Sequence, residues 1–300
     1  MSEPINRPLV GMAWMFLTGV LFIGVTAIVK YVGDGLPPAE SAFLRYVIGL
    51  VFFIPIIGEF KKVKLSRRDL KLFAFRGIAH SLGVTLWFYA MTSITMAEVT
   101  AMSFLTPVFV TVGAAIFLGE RFSSVRSFAI LISLIGVLII LRPGFRELSL
   151  GHLTMILNGI FFAISYLIAK VMADKASPLV VVGMLSIMVT IGLAPLAFLV
   201  WVPPTPVQLG WMGLLALVAT VGHYTMTLAL RAAPISVTQP ISFLQLVWSI
   251  MIGVFVFMEG FDKWVFIGAT LILLSVSFIM WREAHVRRRV ITPVALETKL

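Results

Sequence analysis

No cysteine occurs among the 300 residues, which excludes a disulfide framework, a thiolate metal centre and a cysteine nucleophile, and leaves the redox compartment unread. Charge is scarce as well: Asp, Glu, Lys and Arg make up 12% of the chain against 60% hydrophobic residues. With a mean hydropathy of +1.07, there is too little polar side chain to cover a water-facing surface around so much apolar mass, so the main solvent is lipid. Catalytic signatures are also missing. The chain has no G-x-x-x-x-G-K-[ST] loop, no H-E-x-x-H and no G-x-S-x-G, and its connections are too short for a soluble domain that hydrolyses ATP. An enzyme is therefore not expected, nor is a cofactor or a metal. The net charge of +10 does not point to nucleic acid, because the basic residues flank apolar segments and form no patch interleaved with exposed aromatics.

What is present is a series of ten apolar runs, roughly at 9–30, 39–57, 72–91, 97–118, 124–141, 151–170, 178–201, 208–230, 236–257 and 263–281. Each is close to the ~20 residues that a helix needs to cross ~30 Å of hydrocarbon. The runs lack the period-two alternation of a membrane barrel, so the expectation is an all-α membrane protein of ten transmembrane helices. The first run follows MSEPINRP and has no small-residue cleavage pattern after it, so it reads as a retained helix. If the N-terminus is cytoplasmic, eighteen of the 23 lysines and arginines fall on the cytoplasmic side and four on the other, with Arg45 left inside the second run. Both termini are then cytoplasmic, in an inner (plasma) membrane, and the basic tail is held electrostatically by anionic lipid.

The chain reads as one unit written twice. At a shift of 139 residues, Ser103, Phe104, Leu105, Val108, Glu120 and Phe122 fall on Ser242, Phe243, Leu244, Val247, Glu259 and Phe261. At 140, Gly11, Met15, Gly19, Phe22, Ile28 and Lys30 fall on Gly151, Met155, Gly159, Phe162, Ile168 and Lys170. The expected division is a first five-helix repeat over 1–146, a second over 147–284 and a basic tail over 285–300. An odd number of crossings per repeat makes the second copy enter the bilayer from the opposite side, which gives an inverted repeat. Such a pair has two states of nearly equal energy, one open to each side of the membrane.

Several segments now carry a family resemblance: FLRYVIG around Arg45, FLTPVFV around Pro107, LGE ending in Glu120, ILISLIGVLIILRPG from 130 to 144, and the second-half counterpart ending in Glu259. Over essentially its whole length the chain resembles the drug/metabolite transporter superfamily, in its EamA-type branch of two five-helix repeats. The resemblance implies a carrier of a small molecule and is weak for which one. The second half departs from the pattern, with Leu246 in the place of Pro107 and Ser275 in that of Gly136.

Polar groups inside apolar runs cost free energy unless they are paired or face a wet cavity, so they are the candidates for cargo contact. His223 and Tyr224 lie with Thr220 and Thr227 on one helical face, and Ser242 and Gln245 share a face with Thr238 and Ser249. Asn158 lines up with Thr154 and Ser165, His80 with Trp87 and Met91, and Phe161 stands nearby. The competing role for such residues is to hold helices together by hydrogen bonds and small-residue packing. Glu98, at the mouth of the fourth run, is the candidate for proton coupling. Arg45 is expected to pair with Glu40 or with backbone carbonyls as a lock. Glu120 and Glu259, matched acids at opposite faces, suit gate latches or helix-end anchors, and Pro107 a kink. Lys30 and Lys170 are expected to snorkel to headgroups, and His152 to carry little information.

These features lead to an expected secondary carrier whose partners are a small-molecule substrate, membrane lipid and coupling protons, with no nucleic acid. The cargo expected from the aromatic and uncharged polar faces is flat and mostly uncharged, such as riboflavin or an aromatic amino acid. The alternatives are an amino acid, a nucleoside-like cofactor or drug efflux and, of another class, a channel or a non-transporting receptor.

Overall fold

The computed structural model describes residues 7–63, 65–117, 124–145, 147–173, 175–232, 241 and 244–291. Among these the chain forms twelve α-helices and no strand. They are α1 Pro8–Val32, α2 Pro38–Leu50, α3 Ile57–Lys62, α4 Arg67–Ser93, α5 Met96–Ser103, α6 Thr106–Phe117, α7 Ser124–Leu141, α8 Leu150–Ala173, α9 Pro178–Leu199, α10 Pro206–Ala232, α11 Leu244–Phe255 and α12 Lys263–Ile291. Every apolar run named above therefore contains helix. Six segments are long and apolar enough to cross a membrane: Leu9–Val32, Pro38–Pro55, Met96–Phe117, Leu150–Ala169, Leu179–Leu199 and Pro206–Met226, with shorter apolar helices at Ser127–Leu141, Leu244–Phe255 and Lys263–Ser275. The long helix α4 is not among them, because Arg76, His80, Ser81 and Thr85 dilute its apolar content.

Local chemistry accounts for most of the boundaries. Proline stands in the first turn of α1, α2 and α9, where its missing N–H costs nothing. Capping boxes start two others: Ser66 with Asp69 for α4, and Thr95 with Glu98 for α5. The fourth run is broken, with α5 ending at Ser103 and α6 starting at Thr106. Pro107 has no N–H to return to the Ser103 carbonyl, and Phe104 and Leu105 instead bond three residues back, to Ala101 and Met102. The expected kink is thus a full interruption.

Contacts fix the direction of each helix. α1 runs against α10: Thr18 meets Thr225 (2.9 Å), Phe22 meets His223 and Tyr31 meets Trp211. α4 runs against α8 in the same way, through His80 to Ser165 (3.2 Å) and Gly83 to Asn158 (2.8 Å). α7 and α12 are also opposed, with a Ser133–Ser275 hydrogen bond (2.6 Å), Gly136 against Ile272 and Ile140 against Gly268. α1 and α4 bring their C-terminal ends together, where Lys30 donates to the carbonyls of Met91 and Ile94. Hence α8, the sequence counterpart of α1, runs opposite to it. The two large interfaces match under the repeat shift: a Cβ on Gly222 would lie 2.9 Å from Phe22, and one on Gly83 would lie 2.6 Å from Phe162. Only glycine lets these ring-bearing helices approach so closely.

The buried core joins α2, α4, α5 and α8 through residues such as Leu44, Met91, Met102 and Met155. Around it, large apolar side chains stay exposed along the helices, Phe117 at 76% and Leu199 at 80% among them. A surface of that kind fits hydrocarbon and not water.

Candidate functional site

A polar cluster forms where α2, α4, α8 and the start of α9 meet. On α8, Phe162, Ser165 and Tyr166 follow the i, i+3, i+4 spacing of one face. On α4, Arg76 and His80 are one turn apart and face them. His80 is 8% exposed and is held from both sides, by the Tyr46 hydroxyl at Nε2 (3.0 Å) and Ser165 Oγ at Nδ1 (3.2 Å). Its ring stacks on Phe162, with centroids 4.6 Å apart and planes at 19°. Tyr166 lies beyond Phe162 at 6.2 Å and is 47% exposed.

Two guanidinium groups belong to this cluster. Arg76 is 4% exposed and donates Nη1 to the Val181 carbonyl at 2.9 Å, with its Nε buried and unpartnered. It is buried near the start of α9. Arg45 lies over the Tyr46 ring, 4.4 Å from the centroid, and its buried Nε also has no partner. The expected Arg45–Glu40 pair is not formed: Glu40 Oε2 accepts the Val202 N–H at 2.9 Å, tying the start of α2 to the end of α9. Backbone carbonyls do not take its place, because no hydrogen bond to Arg45 forms among the described residues.

The other expected site residues scatter. His223 packs edge-on against Phe22 at 5.1 Å, the second-half counterpart of the His80–Phe162 contact though not at the matching position. Tyr224 is 65% exposed and is not brought into the cluster. Asn158 is 1% exposed and spends its amide on the Gly83 carbonyl. Phe161 sits beside Gly83, and it is Phe162 that reaches His80. Trp87 lies two turns above His80, edge-on to Phe88, and Gln245 rests against Gly19 of α1. Ser242 and Glu120 lie outside the described residues, as does the side chain of Pro107. A small pocket at the ends of α1, α2 and α4 is apolar apart from Ser41 and Thr92, and offers little to recognise.

A second constellation closes one end of the bundle. Lys30 is only 17% exposed and, besides its two carbonyls, pairs with Glu259 at 2.6 Å. It turns inward and does not snorkel, because the α4–α5 turn offers it acceptors. Glu259 also accepts the Met96 N–H at 3.0 Å, and Gly253 leaves room for the carboxylate, since a Cβ there would sit 2.3 Å from it. Nearby, Glu98 accepts from the Thr95 N–H (2.9 Å) and hydroxyl, and its other oxygen is 3.3 Å from His152 Nε2, both residues being about 5% exposed or less. His152, which the sequence reading passed over, is thus a buried partner of the coupling candidate. The usable signal was Ser149–x–x–His152 opening α8, a side-chain cap at the N-terminus. At the opposite end, Asp69 joins Lys175 and Ser66; the hydrogen bond from Lys175 is the main reason its carboxyl is held down to about 2.

With this geometry in place, the chain can be set against known proteins. Residues 9–142 and 149–281 match the model of the EamA-like transporter family. The chain is 26% identical over 289 residues to the S-adenosylmethionine uptake transporter of Rickettsia conorii, covering 96% of this chain and 98% of that one. It is 28% identical over 292 residues to the riboflavin transporter of Rhizobium johnstonii, covering 96% of each. A solved crystal structure with 17% identity superposes with a TM-score of 0.58 over 94% of this chain and 99% of the other, a likeness of fold alone.

Proposed function

This chain belongs to the EamA-like transporter family, a family of transporters and not enzymes, and on that premise we propose a secondary carrier that moves a small, flat organic metabolite across the membrane by alternating access. The observation that carries the proposal is the opposed running of α1 and α8, each packed by its repeat-matched phenylalanine on a glycine of the other half's helix. That arrangement supports ten crossings in two inverted five-helix repeats, with boundaries near 1–146 and 147–284 and a shared central chamber. The chamber has the Phe162, Tyr166 and His80 rings to stack on a planar cargo. A channel would not call for this exchange of interfaces between the halves.

In this reading the Lys30 end faces outward and the charged N- and C-terminal ends face the cytoplasm of a bacterial inner membrane, in keeping with the lysine and arginine distribution. The Lys30–Glu259 pair, with Met96 and Ile94, is the closed outer gate. Glu120 and Lys170 match Glu259 and Lys30 in the repeat and stand as the inner counterparts. Proton coupling is assigned to the Glu98–His152 pair, a titratable couple buried beside that gate. Riboflavin and S-adenosylmethionine, named for relatives, are the first cargoes to try.

Purified protein in liposomes tests the proposal. Internal unlabelled cargo accelerates entry of labelled cargo if the chain is a carrier, with Glu98→Gln removing the response to a pH gradient and sparing exchange. Uptake that is linear in cargo, without counterflow, identifies a channel and ends the proposal.

A further inference from the structure

The polar cluster contains a cation, Arg45, that no acid among the described residues balances. Arg45 stands in the second apolar run, seven residues past Pro38 and so ~10 Å into the bundle along α2. A guanidinium carries five N–H donors and keeps its charge everywhere in a protein. Burying such a group without an acceptor is among the costlier arrangements a membrane protein can hold. Here the Nε is buried without a hydrogen bond, and the guanidinium lies over the face of the Tyr46 ring.

Among the described residues no acid pairs with it. Glu40 accepts the Val202 N–H with Oε2, while its Oε1 is buried without a hydrogen bond; Glu98 is held by Thr95 and His152, Glu259 by Lys30, Asp262 by Arg142 and Asp69 by Lys175. Helix packing alone would not demand an arginine here, since an apolar residue at position 45 would fill the space at no desolvation cost. The group also sits between the halves: its helix α2 packs against α4 of the first half and against α9 and α10 of the second. The Tyr166 hydroxyl, one turn beyond Phe162 on α8, makes no hydrogen bond among the described residues.

We infer that Arg45 receives a carboxylate of the cargo, while the flat part of the same molecule lies against Phe162 and Tyr166. This rests on the carrier reading and narrows it. The cargo is a ring-bearing monoanion or amino acid, and the expectation of a mostly uncharged substrate gives way to one in which the negative end is the recognised end. One guanidinium matches one carboxylate better than a phosphate dianion, because the other arginine of the cluster, Arg76, is already turned to Val181.

Matched probe pairs in the full-length protein separate the possibilities. N-acetyltryptophan against N-acetyltryptophanamide, and indole-3-propionate against indole-3-propionamide, keep the ring and replace the carboxylate by a neutral amide; riboflavin against flavin mononucleotide adds a phosphate. Binding is read by thermal shift and transport by counterflow, in the wild type, Arg45→Lys and Arg45→Gln. In at least one pair the carboxylate member binds about 30-fold more tightly than its neutral partner in the wild type. Arg45→Gln abolishes that preference while leaving the neutral partner's weak binding in place, which also shows that the variant is folded, and Arg45→Lys retains part of it. Equal binding of charged and neutral partners, an undiminished preference in Arg45→Gln, or a preference for flavin mononucleotide alone overturns the inference. If neutral rings exchange and carboxylates do not, this inference falls and the carrier stands; if no ring of either kind exchanges, it is the carrier reading that fails.

Discussion

Removing Lys30 opens the outer end. In Lys30→Met the side chain keeps most of its length but loses the 2.6 Å ion pair to Glu259 and the hydrogen bonds to the Met91 and Ile94 carbonyls. Deleting one partner of a buried pair costs ~3–5 kcal/mol. The two side chains retain 17% and 11% exposure and Glu259 keeps the Met96 N–H, so about 2 kcal/mol is the reasonable loss after solvent screening. Because the contact exists only when the outer ends of α1, α4 and α11 are together, that loss falls on the closed state and shifts the balance toward outer-open about 30-fold. The cysteine-free chain provides a clean readout. Met91 is fully buried beside the pair, and a single Met91→Cys thiol reports opening through its rate of reaction with a membrane-impermeant maleimide. Labelling quickens by about tenfold or more in Lys30→Met and in Glu259→Gln, and the double variant adds little, as expected for two ends of one contact. Unchanged labelling, or effects that simply add, refutes the gate.

Other outcomes follow from single contacts. Gly136→Ala sets a methyl 2.6 Å from the Gly268 carbonyl oxygen; backbone cannot step aside, so the protein loses ~1–3 kcal/mol of stability, visible as a lower melting midpoint in detergent. Asn158→Ala loses the bond to the Gly83 carbonyl and costs about 1 kcal/mol of stability, with cargo affinity unchanged; a large loss of affinity at unchanged stability would instead return Asn158 to the chamber wall. Asp69 lies in the first turn of α4, ahead of the apolar run, with its carboxyl lowered from 3.8 to about 2. A lowered folded-state value means the stabilisation is complete above about pH 4 and is lost as pH falls through 2. The melting midpoint of the wild type therefore drops more steeply between pH 4 and 2 than that of Asp69→Asn; parallel curves refute the linkage.

Much of the fold was legible because membrane helices write themselves as length and continuity. Apolar runs marked where helix would form, and Phe22 with Phe162 lay on the repeat register that later proved to be the glycine contacts. The site was legible only in part. Spacing selects a helix but not its rotation, so Phe161 and Phe162 could not be told apart until His80 was seen to stack on the second. Tyr46 and Tyr166 were missed for the same reason: each is ordinary in its own helix and meaningful only opposite Arg45, Arg76 and His80, whereas Ser165 was named on the face of Asn158 without its partner His80. Position along the chain misled for Lys30, where nearness to a helix end suggested headgroups, while the carbonyls left free by the α4–α5 turn drew it inward. Arg45 shows the limit most clearly. Its polarity inside an apolar run was visible at once, whereas the lack of an acidic partner among the described residues depends on where those acids end up.

The sidedness of two repeat-matched positions tests the central claim most directly. Gly35 follows α1 and Lys175 follows α8, 140 residues apart and both exposed. Introduced singly as Gly35→Cys and Lys175→Cys in intact cells, the first reacts with an impermeant maleimide from outside and the second only after the membrane is opened. Labelling of both from the same side contradicts two halves that face the bilayer in opposite directions, and with it the alternating chamber between them.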